Sequence, residues 1–346
     1  MSAIVTSPSN VARNAPGHAR DFHVLALSGG GFRALYTAAV LKGLEESLGA
    51  PLAQRFDLIC GTSAGGLLAL GLANEVPAAE LQAMFEANRK RIFGSQGLLR
   101  RIFGKWLLAK HSSAGLRSVL NERFGSTTIG DLKHRVLIPA VNCSSGKSQV
   151  FKTPHAVAFD TDHRRTLVDV GLATTAAPTY FPLHEIPGEG VFADGGLFGN
   201  SPGFFGLHEA QRVFSAPAVQ VRVLAIGTMA LGAALRGAAE HDRGIVHWGS
   251  GLFDLVIAAQ ESTTNAMLGH WLGERFYSID DQPTGAQSKD VSALDAISAG
   301  AVEVLKTRGA LAAKRALGDP AFASFKAHLS MPPTFFHGAN KNLGGL

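Results

Sequence analysis

The sequence predicts an α/β fold in which helices flank a central, mostly parallel β-sheet, with a helical addition at the C-terminus. Short apolar runs lead through glycine-rich turns into helical patterns at residues 23–44 and again at residues 56–72. Repeated strand–turn–helix units of this kind are typical of parallel sheets covered by helices. The 346 residues are 46% hydrophobic and 17% charged, so the chain can also bury a sizeable core.

Individual elements follow from the pattern along the chain. Helices are expected after the first two strands, from Pro77 to about Lys90, over residues 167–177, and from Thr228 to about Gly318. Apolar or β-branched runs that end at turn residues predict strands over residues 23–28, 56–60, 135–142, 149–152 and 219–227.

Cysteine content and the N-terminus indicate the compartment. Cys60 and Cys143 are too few for a disulfide scaffold, and no paired Cys/His spacing predicts a metal site. Both lie in apolar stretches, so we expect buried free thiols in a reducing compartment. Residues 1–21 are predicted to be flexible and lack the apolar core of a secretory signal. No run approaches the roughly 18 apolar residues of a spanning helix, so a cytoplasmic protein is expected.

The segment Gly61-Thr62-Ser63-Ala64-Gly65 follows a predicted strand and precedes a predicted helix. A nucleophile elbow places a serine on such a strained turn, and flanking glycines let neighbouring backbone pass closely. The helix N-terminus favours negative charge developing near the serine. Ser63 is therefore the candidate nucleophile. The alternative is an ordinary serine N-cap in a tight turn.

A second glycine-rich turn, Gly29-Gly30-Gly31 followed by Phe32 and Arg33, also joins a strand to a helix. Unobstructed backbone N–H groups there predict an oxyanion hole. The same spacing fits a dinucleotide-binding fingerprint, which requires an acidic residue about 20 positions on, at a second strand. The acidic residues at 45 and 46 fall inside the helix instead, which weakens that alternative.

The third motif is Asp194-Gly195-Gly196, in an apolar setting. By itself it is typical of a turn, but beside the other two motifs Asp194 becomes the candidate base. An aspartate with an ordinary pKa of about 3.9 is a weak base at neutral pH, so a semi-enclosed site that raises the pKa is expected. A Ser-His-Asp triad is the alternative, because four histidines follow Asp194 in the chain: His208, His241, His247 and His270.

Together the three motifs, in this order, resemble the patatin-like phospholipases; Ala34 departs from their pattern, which usually has glycine there. The resemblance covers roughly residues 22–230. It implies a catalytic domain over residues 22–228 and a helical extension over residues 229–346 packed on it. It further implies a Ser63/Asp194 dyad without histidine or cofactor, Arg33 beside the oxyanion loop, and phospholipase A-type hydrolysis of glycerophospholipid esters.

Positive charge is concentrated in one segment. The net charge is +5, yet residues 87–121 contain eight Lys or Arg and no acid, so the remaining chain is slightly negative. Over residues 98–110 apolar side chains share one helical face, while Arg100, Arg101 and Lys105 lie largely opposite. With Trp106, this composition predicts docking on the anionic inner face of the membrane when the enzyme is active. The alternative is a solvated basic face on a core-packed helix.

A narrower resemblance is carried by residues 128–142 and 151–155, which are similar to bacterial patatin-like effectors of anti-phage defence. In that subgroup a cyclic di- or trinucleotide activates the lipase, so such an activator is implied here. Arg89, Lys152 and Arg275 are basic candidates for binding it. Residues 229–320 are expected to form a regulatory or oligomer face of a homo-oligomer, with a plain helical cap on the sheet as the alternative, and no DNA or RNA partner is expected. A catalytically idle nucleotide-binding sensor remains the alternative.

Overall fold

One mixed sheet organises the part of the chain that the computed structural model describes, namely residues 20–94, 109–230, 248 and 251–341. Its spatial order is β5-β6-β3-β2-β1-β7-β8, and β4 forms a hairpin with β3. The strands are β1 (Phe22–Leu27), β2 (Leu58–Gly61), β3 (Val136–Asn142), β4 (Lys147–Lys152), β5 (His184–Ile186), β6 (Gly190–Asp194), β7 (Val221–Ile226) and β8 (Phe276–Ile279).

Five strands, β3-β2-β1-β7-β8, run parallel, whereas β4, β5 and β6 pair antiparallel. This confirms the predicted α/β fold with a mostly parallel sheet. Leu27 pairs with both Gly61 and Ile226, and Ile226 pairs with Ile279. The carboxyl ends of β1, β2, β7 and β8 therefore meet at one edge of the sheet, where α/β proteins usually place their sites.

Helices cover both faces of this sheet. They are α1 (Ala34–Leu48), α2 (Ala64–Ala73), α3 (Ala78–Phe93), α4 (Ser113–Phe124), α5 (Leu167–Thr174), α6 (Gly196–Gly199), α7 (Gly203–Arg212), α8 (Gly251–Leu272), α9 (Ala299–Gly318) and α10 (Ala323–Ala327). Side chains of β1 alternate between two cores, because successive residues of a strand point to opposite faces. The larger core lies under α1 to α5 and α9, and the smaller lies under α7 and the C-terminal half of α8.

Local sequence explains where several helices begin and end. Every residue of α2 is buried, as expected for a helix without a charged side chain. Gly49 ends α1 with φ +66°, a conformation that favours glycine. Ser298 caps α9, its hydroxyl accepting a hydrogen bond from the Ala301 N–H. In the described ranges, no helix combines the length and apolarity needed to cross a membrane.

Several expectations are corrected. The chain after Thr228 is not helical throughout, because β8 adds to the sheet and a loop over residues 280–298 precedes α9. Strands β5 and β6 lacked a strong pattern because they are only 3 and 5 residues long. Helix α5 ends at Thr174, before the predicted residue 177. Cys60 is buried as expected, but Cys143 is exposed because it lies just beyond β3 in the hairpin turn.

Three further predictions are not tested by this architecture. The predicted flexible segment over residues 1–21 and the predicted interfacial helix over residues 98–110 both lie largely outside the described residues. The boundary between a catalytic domain and an extension at residue 228 stays a prediction. Strand β8 lies beyond that boundary and pairs with β7.

Candidate active site

Ser63 stands on a sharp turn between β2 and α2. Its backbone has φ +54° and ψ −128°, a strained conformation for a residue with a Cβ. Two glycines make the turn possible: a Cβ at Gly61 would lie 2.3 Å from the Gly65 carbonyl oxygen, and a Cβ at Gly65 would lie 2.4 Å from the Leu27 carbonyl oxygen. The Ser63 N–H donates to Thr174 Oγ1 at 2.9 Å, which anchors the turn on α5.

Asp194, the last residue of β6, lies against Ser63. The Ser63 hydroxyl donates to Asp194 Oδ2 at 2.6 Å, and the Gly196 N–H donates to Asp194 Oδ1 at 2.7 Å. The side chain is only 1% exposed. Burial raises the pKa of the Asp194 carboxyl to about 7, while the two hydrogen bonds oppose that rise. The enclosure and the raised pKa agree with the semi-enclosed environment expected for Asp194, and its role as a base stays a prediction.

The glycine loop contributes two unpaired N–H groups. Three of its five predicted residues use their N–H within the fold: Gly29 donates to the Asn200 carbonyl at 3.1 Å, Phe32 to the Leu294 carbonyl at 2.7 Å, and Arg33 to Gly30. Within the described chain, the N–H groups of the remaining two, at positions 30 and 31, form no hydrogen bond. Both residues line the same cavity as Ser63 and Asp194.

Arg33 lies buried beside this loop. The guanidinium group is 6% exposed, and its desolvation lowers its pKa, while the nearby carboxyl groups of Asp254 and Glu261 oppose that shift. Both carboxyl groups belong to α8, so the buried guanidinium group of Arg33 interacts with acidic side chains of this helix. Burial raises the pKa of Glu261 to about 7.

The cavity over Ser63 is small and apolar. Its volume is about 30 Å³, which is room for about two water molecules and not for an acyl chain. The 280–298 loop contributes Leu294 to its wall: the Leu294 carbonyl accepts a hydrogen bond from the Phe32 N–H, and the adjacent Asp295 pairs with Lys110 at 2.5 Å and His111 at 2.6 Å. The other hydrophobic walls are Phe93, Ala177, Tyr180, Phe181, Phe253 and Ile257.

Histidines do not line this cavity in the part of the chain that the structure describes. His208 on α7 and His270 on α8 are exposed, and His241 and His247 fall outside the described residues. Across the same ranges, no cluster of three or more His, Cys, Asp or Glu side chains could hold a metal ion.

The three basic residues suggested for binding a nucleotide form hydrogen bonds or ion pairs in different parts of the fold. Arg89 donates to the Glu86 carbonyl at 2.7 Å, Lys152 pairs with Glu209 at 2.6 Å, and Arg275 donates to the Ala218 carbonyl. The four residues suggested for membrane contact lie outside the described residues: Arg100, Arg101, Lys105 and Trp106.

Four residues at the site were missed in the sequence. Asn200 could have been found, because it follows the aspartate motif directly as a polar residue between Gly199 and a Ser-Pro pair. Thr174, Glu261 and Leu294 stand in helical or irregular stretches without any motif. Their roles depend on contacts with residues far away in the chain.

Comparisons with known proteins agree with these motifs. The family model described as patatin-like phospholipase matches residues 25–203. The chain is 62% identical to a "cGAMP-activated phospholipase" of Pseudomonas aeruginosa, with 93% of this chain and 97% of that protein covered. A protein with the same description from Vibrio cholerae is 36% identical, with 87% of this chain and 93% of that protein covered. Another from Escherichia coli is 41% identical, with 60% of this chain and 62% of that protein covered. This chain belongs to the patatin-like phospholipase family.

Proposed function

We propose that this protein hydrolyses fatty-acyl esters of membrane phospholipids, with Ser63 as the nucleophile and Asp194 as its base. The observation that carries the proposal is the 2.6 Å hydrogen bond from the Ser63 hydroxyl to Asp194 Oδ2, at a strained elbow beside two unpaired N–H groups. Family membership supports the lipid substrate.

The reaction proceeds in two halves through an acyl-enzyme. Ser63 Oγ attacks the ester carbonyl while Asp194 takes the hydroxyl proton, and the same proton then passes to the departing lysophospholipid oxygen. Asp194 next takes a proton from water as the water oxygen attacks the acyl-enzyme carbonyl; that proton then passes to Ser63 Oγ as the acyl–Oγ bond breaks, which releases the fatty acid and restores both residues. A pKa of about 7 suits Asp194 to both directions of transfer, because neither protonation state is strongly favoured near neutral pH.

Gly30 and Gly31 are the donors proposed for the oxyanion. Their N–H groups point to no partner in the described chain and share the cavity with Ser63, and α2 presents its N-terminus to the same space. One such donor typically contributes about 2.7–4 kcal/mol to the transition state. The other loop residues, Gly29, Phe32 and Arg33, then hold the shape of the loop.

A Ser-His-Asp triad is less well supported. Both oxygens of Asp194 are engaged, one by Ser63 and the other by the Gly196 N–H. A histidine between Ser63 and Asp194 would have to separate two groups that already touch, and His208 and His270 are exposed on helices.

Activation by a cyclic dinucleotide, with cGAMP as the first ligand to test, completes the proposal. The names of the three relatives support it. The cavity supports it as well, since about 30 Å³ cannot admit an acyl chain unless its walls move, and Leu294 of the 280–298 loop is one of those walls. In this proposal activation withdraws Leu294 from the Phe32 N–H and opens the space above Ser63.

The decisive experiment measures fatty acid released from liposomes of phosphatidylethanolamine and phosphatidylglycerol, with and without cGAMP and other cyclic nucleotides. Release that requires Ser63 and Asp194, tested as Ser63→Ala and Asp194→Asn, is the expected result; the lysophospholipid formed identifies the ester position. Nucleotide binding without fatty acid release under any condition would instead support an idle sensor and overturn the proposal.

Membrane docking by Arg100, Arg101, Lys105 and Trp106 is proposed as the route to the substrate. The segment that carries them joins Phe93, which lines the cavity, to Lys110, which pairs with Asp295 of the closing loop. Sedimentation with anionic and neutral vesicles tests this: replacing the three basic residues by Gln is expected to remove the preference for anionic vesicles. Equal binding by the wild type and the variant contradicts docking.

A further inference from the structure

We propose that Asn200 is a positioning residue that sets the orientation of the Gly30 N–H, and that Glu261 of α8 holds Asn200 in place. The inference rests on the proposed function, because the Gly30 N–H matters only if it receives the oxyanion. Both are assigned this role because the Asn200 amide nitrogen donates to Gly29 and Glu261, and Glu261 does not line the cavity in the described chain.

Asn200 forms two hydrogen bonds with Gly29. The backbone carbonyl of Asn200 accepts from the Gly29 N–H at 3.1 Å, and the side-chain Nδ2 of Asn200 donates to the Gly29 carbonyl at 3.1 Å. The approach is close, since a Cβ at Gly29 would lie 2.5 Å from Asn200 Oδ1. Asn200 is only 1% exposed, so water does not replace these bonds readily.

The second of these bonds reaches the oxyanion hole through one peptide unit. The Gly29 carbonyl and the Gly30 N–H belong to the same planar trans peptide, in which C=O and N–H point in opposite directions. Holding the carbonyl toward Asn200 therefore turns the Gly30 N–H away from it, toward the cavity that contains Ser63. A hydrogen bond to the carbonyl also polarises the N–H at the other side of the peptide.

Glu261 determines which way the amide of Asn200 faces. The two hydrogens of Nδ2 serve two acceptors, the Gly29 carbonyl at 3.1 Å and Glu261 Oε2 at 3.2 Å. The reverse orientation of the amide would place its oxygen against both acceptors, which is repulsive. Glu261 is 6% exposed and belongs to α8, whose preceding residue Gln260 accepts a hydrogen bond from the Asn200 N–H at 3.3 Å.

The chain offers a matched control in the next residue. Ser201 also bonds α8, its hydroxyl donating to Asn265 Oδ1 at 3.1 Å, but it has no bond to the glycine loop. Ser201→Ala therefore removes one contact between the same loop and the same helix without touching Gly29. Its effect measures the contribution of loop–helix attachment alone.

The test compares kcat and KM on phosphatidylglycerol vesicles with cGAMP, together with thermal midpoints. Asn200→Ala is expected to lower kcat about 10- to 100-fold, somewhat less than removal of an oxyanion donor, with KM within about twofold. Labelling by a fluorophosphonate should slow in parallel, because the phosphonyl oxygen occupies the same hole. Ser201→Ala is expected to stay within about threefold of wild type in kcat.

A second pair of variants tests the inference without altering Asn200. Glu261→Gln keeps a carbonyl acceptor and should retain kcat within about threefold, whereas Glu261→Leu should fall toward the level of Asn200→Ala. Combining Glu261→Leu with Asn200→Ala should cost less than the sum of the two losses, because the part of the Glu261 effect that acts through Asn200 is lost only once; the remainder comes from the contacts of Glu261 with Ser28 and Arg33.

The outcomes separate the two proposals. A wild-type protein that releases no fatty acid, with or without cGAMP, overturns the proposed function. An active wild type overturns this inference alone if Asn200→Ala keeps kcat within threefold, if Ser201→Ala loses as much, or if the Asn200 and Glu261 losses simply add. A fall in thermal midpoint at unchanged kcat would assign both residues to the fold only.

Discussion

Two regions of the chain meet at Ser63 and contribute different things to it. The three motif segments, all between Gly29 and Gly196, bring the hydroxyl, the carboxylate and the unpaired N–H groups. Helix α8 and the 280–298 loop bring side chains that hold or cover those groups, among them Glu261 and Leu294. Under the proposed function, the candidate reacting groups therefore come from the first region, while Glu261 and Leu294 of the second support or cover them.

The regions also differ in how they are held at the site. The motif turns depend on backbone contacts closer than a Cβ allows, as at Gly61 and Gly65, so they have no alternative packing at low cost. The 280–298 loop makes one contact of this kind, since a Cβ at Gly31 would lie 2.4 Å from the Leu294 carbonyl oxygen, and its Val291 and Leu294 side chains are buried in the core. Its remaining attachments at the site are one backbone hydrogen bond and the two ion pairs of Asp295, and these are the contacts that would exchange if the site opens as proposed.

The largest effect on activity is expected from substitution of Ser63, at the centre of the motif segments. Ser63→Ala should lose more than about 10³-fold of the activity while the protein stays folded. Ser63→Gly should be equally inactive yet more stable than the Ala variant by about 1 kcal/mol, because φ +54° suits glycine. Activity assays and thermal unfolding of both variants check this. Residual activity in Ser63→Ala would place the chemistry elsewhere.

The next effect concerns pH. Asp194 must be ionised to act as a base, so kcat/KM should rise about tenfold per pH unit up to an apparent pKa of about 7 and then level off. Folding favours the protonated form, since the pKa is raised above its unfolded value; the stability of wild type should therefore fall, relative to Asp194→Asn, between about pH 4 and pH 7.

Glu261 requires a control here, because its pKa is also about 7. The acid limb should remain in Glu261→Gln if Asp194 is the group that titrates. If the fall of kcat/KM at low pH disappeared in that variant, Glu261 and not Asp194 would be the group that titrates. The pH dependence would then arise in the second region, on helix α8.

A smaller effect on activity is expected from weakening the ion pairs of the 280–298 loop. Asp295→Asn weakens the ion pairs with Lys110 and His111 and should raise the nucleotide-independent activity several-fold, up to about tenfold. Glu122→Gln, which removes an exposed ion pair with Arg91, is the matched control and should change nothing. Unchanged basal activity in Asp295→Asn would mean that this loop does not limit access.

The smallest effect is expected away from both regions. Cys143 is exposed and should react with a maleimide without loss of activity, whereas Cys60 is buried with a raised pKa and should stay unmodified in the native protein. Mass spectrometry of the labelled protein checks this. Inactivation after labelling of Cys143 alone would reveal a link between the hairpin turn and the site.

The parallel sheet and the three motif positions could be predicted because each rests on neighbouring residues. An apolar run, a glycine turn and a helical period are local patterns, so β1, β2 and the elbow at Ser63 were recognisable. Strands β5, β6 and β8 were missed because they are short and acquire their identity by pairing with strands elsewhere. Cys143 was misplaced because one residue beyond β3 separates a buried strand from an exposed turn.

By itself, the sequence determined which residues could react: a serine between two glycines after a strand, an aspartate before two more, and a loop rich in N–H groups without side chains. Only the tertiary structure decided which of these groups are paired and which are left unpaired. Asn200 and Gly29 are 171 positions apart, and Asn200 and Glu261 are 61 positions apart. Hydrogen bonds over such separations follow from how strands and helices pack, and no local pattern encodes them.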